Sequence, residues 1–328
     1  MHIVIIKLGA DGDVLRTIPI AQAIKKKHPA AKITWITRGD IADLLKPLPF
    51  INHVVQSSSI DSSHEDYDFL YNFDIDAEAT SLAGKIKADK KYGFYNEDGY
   101  PAAYNIGAEY YLNTVFDDEL KKSNRKTYQE MMFSAAELSY SKESYNLILT
   151  KEASSFARKY KEKYLLNGKK IIGIHMGASS RWPSKSWDKE QLKHFMMMAQ
   201  QKGYEIILFG GPAEANSYKP FISELEKEGL HVSTNNPNNT KQEFAAVLNL
   251  CDIVVCNDSF ALHVAIGLGK KTVSLFFCTS PYEVEGYGFL TKLASPNLMD
   301  FFPERSNEYS KELTSSITAE EVLTAAIA

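Results

Sequence analysis

A short aliphatic run that ends in a turn and gives way to an amphipathic stretch is the feature that most narrows the fold, because it recurs along the whole chain. Met1–Leu8 is rich in β-branched residues and breaks at Gly9-Ala-Asp-Gly-Asp13. VLRTIPIAQAIKKK follows, with Leu15, Ile18, Ile20, Ala23 and Ile24 at helical spacing. This reads as strand, tight turn, helix. Further strands are predicted at Lys32–Ile36, His53–Gln56 and Phe69–Phe73, with a short helix over Ile41–Leu45 and a surface loop over the Ser- and acid-rich Gln56–Asp66. A charged helical segment, EASSFARKYKEKYLL, ends at Asn167-Gly168, and a second series begins with the strand Lys170–His175. Its helices are predicted near 189–202, 214–228, 241–250 and 259–268, and its strands at 205–209, 231–233, 253–256 and 272–276.

Such alternation predicts parallel sheets with helices on both faces. At roughly 150 residues per domain, 328 residues suffice for two. We therefore expect two Rossmann-like doubly wound α/β domains, 1–150 and 151–328, facing a cleft at the strand carboxyl ends, with the last helix packing back on the first domain.

Composition removes several classes. Lys and Arg number 37 against 41 Asp and Glu, a net charge of −4, so no global charge points to nucleic acid or an anionic membrane as partner. Three cysteines, Cys251, Cys256 and Cys278, form no CxxC pair, and an odd count argues for a reducing compartment. The opening apolar run is too short for a signal peptide or a membrane span. The expectation is a cytoplasmic protein. The chain has no GxGxxG after a strand, no P-loop, no HExxH and no metal-spaced Cys/His cluster, so dehydrogenase, kinase and zinc-hydrolase readings lose support.

Four segments carry candidate chemistry, each beside a plainer reading. Gly12-Asp13 closes the first strand and opens the first helix; Asp13 either accepts a proton from an attacking hydroxyl or caps the helix. Gly177-Ala-Ser-Ser-Arg-Trp-Pro-Ser-Lys-Ser-Trp187 offers Ser179, Ser180, Arg181 and Lys185 to an anionic ligand, or is a solvated loop over Trp182 and Trp187. Phe209-Gly-Gly-Pro-Ala-Glu214 ends a strand with Gly210 and Gly211, and Glu214 either takes ribose hydroxyls or is an exposed turn residue. In Cys256-Asn-Asp-Ser-Phe-Ala-Leu-His263, Asp258 and Ser259 stand at a helix N-terminus suited to phosphate. Asp258 itself would repel a phosphate, and is read as a helix cap or a receiver of a sugar hydroxyl. His263 points either to the cleft or into the core.

Taken together, IIKLGADGDVLRTIP, GASSRWPSKSW, LFGGPAE and VVCNDSFALHVAIGLGKKTVSLFF resemble the heptosyltransferase family, glycosyltransferase family 9, across both halves and in order. The resemblance implies the two-domain GT-B architecture, an acceptor-binding first domain, a nucleotide-sugar-binding second domain, and inverting, metal-independent transfer of heptose from ADP-heptose. It implies Asp13 as general base, after Gly12, and Lys185 as the cation facing the departing diphosphate, with Arg181 its rival because the loop carries an extra residue. Ser179 and Ser180 stand for a Thr pair near the phosphates, and Glu214 for the acid that holds the ribose. Asp258, Ser259 and His263 match an Asp-Thr-Gly-x-x-His segment in which Phe260 replaces the Gly, narrowing the backbone's approach to the donor. No bound cofactor or metal is implied beyond the nucleotide sugar.

For the acceptor the resemblance implies inner-core lipopolysaccharide, with at most peripheral membrane contact. Residues 51–84, however, contain no Lys or Arg but do contain Asp61, Glu65, Asp66, Asp68, Asp74, Asp76 and Glu78. A neutral glycan or small molecule therefore stands beside a phosphorylated core as expected acceptor. A monomer is expected. The competing functional readings are a sugar-nucleotide epimerase of similar fold and a nucleotide-sugar binder without turnover.

Overall fold

The computed structural model describes residues 1–59, 66–177 and 181–328. Ser179 and Ser180, Asp61 and Glu65, and most of the predicted 56–66 loop lie outside the described residues. The chain divides into two compact units: Met1–Ile148 with Tyr282–Glu285, and Leu149–Pro281 with Gly286–Ala328.

The first unit is built on strands β1 (His2–Ile6), β2 (Lys32–Thr37), β3 (His53–Gln56), β4 (Asp66–Asn72), β5 (Lys87–Glu97) and β6 (Tyr100–Ala103). Their order is β3-β2-β1-β4-β5-β6, parallel except for β5 and β6. Ile3, Val4, Ile5 and Ile6 are all fully buried, as a strand covered on both faces requires. The antiparallel edge was not predicted. Asp98 (φ 51°) and Gly99 (φ 93°) make the two-residue turn that reverses the chain there. β1 and β4 lie side by side although β2 and β3 follow β1 in sequence, so the strand order reverses between them. In an open α/β sheet, ligand sites form at such a reversal, outside the strand carboxyl ends.

The second unit repeats this plan with β7 (Lys170–His175), β8 (Tyr204–Phe209), β9 (Val232–Thr234), β10 (Ile253–Asn257), β11 (Lys271–Phe276) and β12 (Leu290–Ala294), in the order β12-β11-β10-β7-β8-β9, all parallel. Here the reversal falls between β7 and β10. The core joins Ile172, Ile174, Phe195, Val255, Val273 and Leu275 across the sheet. The last helix, Ala319–Ile327, buries Ala319, Val322, Leu323 and Ala326 in this same core. No helix among the described residues is long and apolar enough to cross a membrane.

Candidate functional site

At the reversal of the first sheet, β1 runs into Lys7, whose side chain is almost wholly buried. Its ammonium lies 3.5 Å from Asp74 Oδ2, just beyond β4. The same oxygen accepts from the backbone N–H groups of Leu8 and Gly9 at 3.0 and 3.1 Å. Asn72 orients Asp74 by donating to its carbonyl and accepting from its N–H. Burial alone would depress the Lys7 ammonium, but the surrounding Tyr128, Asp74, Asp13 and Tyr111 outweigh it and hold Lys7 above its ordinary range.

The helix Asp11–Lys27 begins earlier than the sequence pattern suggests, with Ala10 as N-cap. Gly12 is buried in its first turn and Asp13 is its third residue. The plainer reading of Asp13 as the capping residue is thus corrected. Asp13 Oδ1 instead lies 2.9 Å from Arg16 Nη2, with the Arg16 guanidinium 3.9 Å from the centre of the Tyr128 ring.

At the reversal of the second sheet, β7 ends in His175 and β10 in Asn257. Asn257 Nδ2 donates to the carbonyls of Gly177 and Lys185 at 2.9 and 3.1 Å, tying the two ends of the intervening loop to β10. Ser184 Oγ donates to Glu308 O and accepts from Ser310 N, and Trp187 Nε1 donates to Ile317 O, so the loop's far end is anchored to the C-terminal segment. This anchoring delivers the Lys185 ammonium to Asp258, 3.0 Å from its carbonyl oxygen and 3.1 Å from Oδ2. Arg181, by contrast, is exposed, with its guanidinium 5.0 Å from the Trp182 ring centre.

The sequence reads Asp258 as a cap of the following helix or a receiver of a sugar hydroxyl, and the first of these places it at the N-cap position. That place belongs to Ser259, N-cap of Phe260–Gly267, and the Asp258 carboxylate pairs with Lys185 because the folded loop brings that cation to it. Ser259 Oγ lies 3.2 Å from His175 Nδ1. Burial pushes the His175 imidazole below its ordinary pKa, against the opposing effects of Glu214 and Asn257. His263 is buried within the helix. The Phe260 ring packs 5.4 Å from Phe244, with Lys241 Nζ 4.6 Å from its centre.

Glu214 is half-buried and not an exposed turn residue. It is the third residue of the helix Pro212–Lys227, and its Oε2 accepts from Gly211 N at 2.8 Å. Gly210 exchanges two hydrogen bonds with the Asn235 side chain, Gly210 N donating at 2.9 Å and its carbonyl accepting at 3.1 Å. A Cβ on Gly177 would stand 2.6 Å from Glu214 Oε1, so the loop's first residue has no room for a side chain while Glu214 holds this position. A cavity of about 570 Å³ opens beside them, lined by Gly177, Ser186, Trp187, Glu214, Tyr218 and Phe221.

Sequence reasoning missed Lys7, Arg16, Tyr128, His175, Asn235 and Asn257. Lys7 and His175 left a trace in it: each is the polar residue that ends or directly follows a buried aliphatic strand. The acidic stretch also reads differently once folded. Asp74 serves Lys7, Asp76 caps the helix Ala77–Lys85, Arg38 meets Asp76 and Glu78, and Asp68 accepts from His2 N. Its expected repulsion of phosphate is correspondingly weakened.

Residues 63–301 match glycosyltransferase family 9 (heptosyltransferase). Lipooligosaccharide heptosyltransferase 2 of Campylobacter jejuni subsp. jejuni serotype O:6 is 26% identical over 176 residues, covering 51% of this chain and 55% of that protein. The chain spans about half the length of the first curated relatives it matches. Among solved structures, a family 9 glycosyltransferase from Veillonella parvula superposes with a TM-score of 0.79 at 20% identity, covering 99% of this chain and 95% of the other. An E. coli ADP-heptose lipopolysaccharide heptosyltransferase II does so with a TM-score of 0.72 at 16% identity, covering 99% and 97%. These superpositions establish the fold, two Rossmann-like α/β units of the GT-B kind.

Proposed function

The chain belongs to glycosyltransferase family 9, and from that premise we propose that it moves a heptose from ADP-heptose to a hydroxyl of an inner-core lipopolysaccharide acceptor, with inversion and without a metal. The observation that carries the reading is Lys185, a half-buried cation held at the N-terminus of the helix Phe260–Gly267 by an anchored loop. Cation and helix N-terminus together provide positive potential for a leaving diphosphate.

In this reaction Asp13 takes the proton of the acceptor hydroxyl as its oxygen bonds to the anomeric carbon. The bond from that carbon to the β-phosphate oxygen breaks, and the electron pair leaves on ADP. Lys185 turns from Asp258 to the phosphates, and Glu214 takes the ribose hydroxyls. The first unit binds the acceptor and the second the donor. Lys7 beside Asp74, and Arg38 beside Asp76 and Glu78, offset part of the acidity of the first unit, which supports a core saccharide as acceptor. Three free, buried thiols support a reducing, cytoplasmic setting.

The test is turnover on purified core acceptor with ADP-heptose beside UDP-, GDP- and CDP-sugars, preceded by a thermal-shift panel of the four diphosphates. Stabilisation by ADP and transfer from ADP-heptose alone are expected. Preference for another base, or transfer only to a neutral small molecule, would overturn the donor or the acceptor assignment respectively.

A further inference from the structure

Arg16 lies one turn beyond Asp13 on the helix Asp11–Lys27, and its guanidinium meets two groups at once, the Asp13 carboxylate at 2.9 Å and the face of Tyr128 at 3.9 Å. Tyr128 is fully buried, at the start of a helix closed by the Thr127–Glu130 capping box. Thr17 Oγ1 donates to the Asp13 carbonyl at 2.7 Å and so accepts from the Tyr128 hydroxyl at 2.9 Å. The Arg16 side chain is 13% exposed and that of Asp13 34%. A buried ring thus backs the cation, and the carboxylate is the more open member of the pair.

We infer that Arg16 is the positioning residue of the transfer reaction: it keeps Asp13 ionised and, braced by Tyr128, fixes the carboxylate that takes the acceptor's proton. This rests on the reading of Asp13 as base. Among the described residues, the charged and titratable groups around the pair include Asp11 on the same helix, Lys7 after β1, Asp74 after β4, Tyr111, Tyr128, and Glu283 of the segment Tyr282–Glu285. Arg16 contacts Asp13 at 2.9 Å, while Lys7 pairs with Asp74 at 3.5 Å and acts on Asp13 only through its field. An opposite charge this close lowers a carboxylate pKa by roughly 1–3 units when little screened.

The pH dependence of kcat/KM for the full chain tests this. Removing the cation in Arg16→Gln leaves Asp13 protonated at higher pH, so the acid limb moves up by about one unit, a loss of about tenfold on that limb with a smaller loss on the alkaline plateau. Arg16→Lys restores most of the shift. A purely structural role would lower the rate evenly and leave the limb in place. Carbon-13 NMR titration of the Asp13 carboxyl, assigned through Asp13→Asn, reads the same ionisation without turnover, and Arg16→Met, which also removes the cation, serves if Arg16→Gln does not fold. Wild-type transfer by Asp13→Asn would overturn the base reading and this inference with it. An inactive Asp13→Asn beside an unmoved acid limb and an unmoved titration would overturn the inference alone.

Discussion

The Lys185 ammonium is held by two oxygens of one residue, the carbonyl of Asp258 at 3.0 Å and its Oδ2 at 3.1 Å. A diphosphate entering this site competes with a carboxylate for the same cation. Loss of one charge-assisted contact costs roughly 1.5–3 kcal/mol, so Lys185→Ala is expected to weaken ADP binding about 10- to 150-fold by calorimetry. Asp258→Asn removes the competitor and is expected to tighten ADP. Arg181→Ala leaves ADP binding nearly unchanged, because its guanidinium lies over Trp182 at the surface. The reverse pattern would give the diphosphate contact to Arg181.

Asp13→Asn keeps an amide oxygen for Arg16 but cannot accept a proton. Transfer is expected to fall about 10²- to 10⁴-fold with ADP affinity retained. Rates from initial-velocity assays, set beside Tm, separate this from unfolding. Near-normal turnover at an unchanged Tm would leave Asp13 only the structural partner of Arg16.

Buried His175 sits below its ordinary pKa in the fold, so between that lowered value and about 6.5 the unfolded chain binds more protons. Stability from this group is therefore full above about pH 6.5 and declines as pH falls through the window. In urea titrations from pH 7.5 to 5.0, His175→Gln should flatten the wild-type slope. An identical slope in the variant would remove His175 from the acid response.

Gly93 has φ 88°, and a Cβ there would stand 1.9 Å from the carbonyl oxygen of Asn72. Neither the backbone angle nor the neighbouring backbone can yield cheaply. Gly93→Ala is expected to destabilise by at least about 1–3 kcal/mol from strain alone. Because Asn72 orients Asp74, the variant should also lose transfer activity beyond what its Tm implies. A shift of Tm by less than a degree in thermal melts would contradict this.

Local pattern determined a good deal of this protein. Aliphatic runs alternating with amphipathic ones specify buried parallel strands and covering helices, and they place Asp13, Lys185, Glu214 and Asp258 in or next to loops beyond strand carboxyl ends, because period and turn chemistry act over a few residues. The β5–β6 hairpin was legible too, in Asp98-Gly99, but went unread. What the folded sheets alone decided is which charge meets which. Lys185 with Asp258, His175 with Ser259, Thr17 with Tyr128 and Leu8 with Asp74 are 73, 84, 111 and 66 residues apart. Each pair meets because strand order reverses at β1–β4 and β7–β10 or because a distant helix packs on the first, and no local periodicity encodes either event. A carboxylate in sequence has no partner. Once folded beside a particular cation it does, and that pairing decided that Asp74 answers Lys7 and that Asp258 answers Lys185.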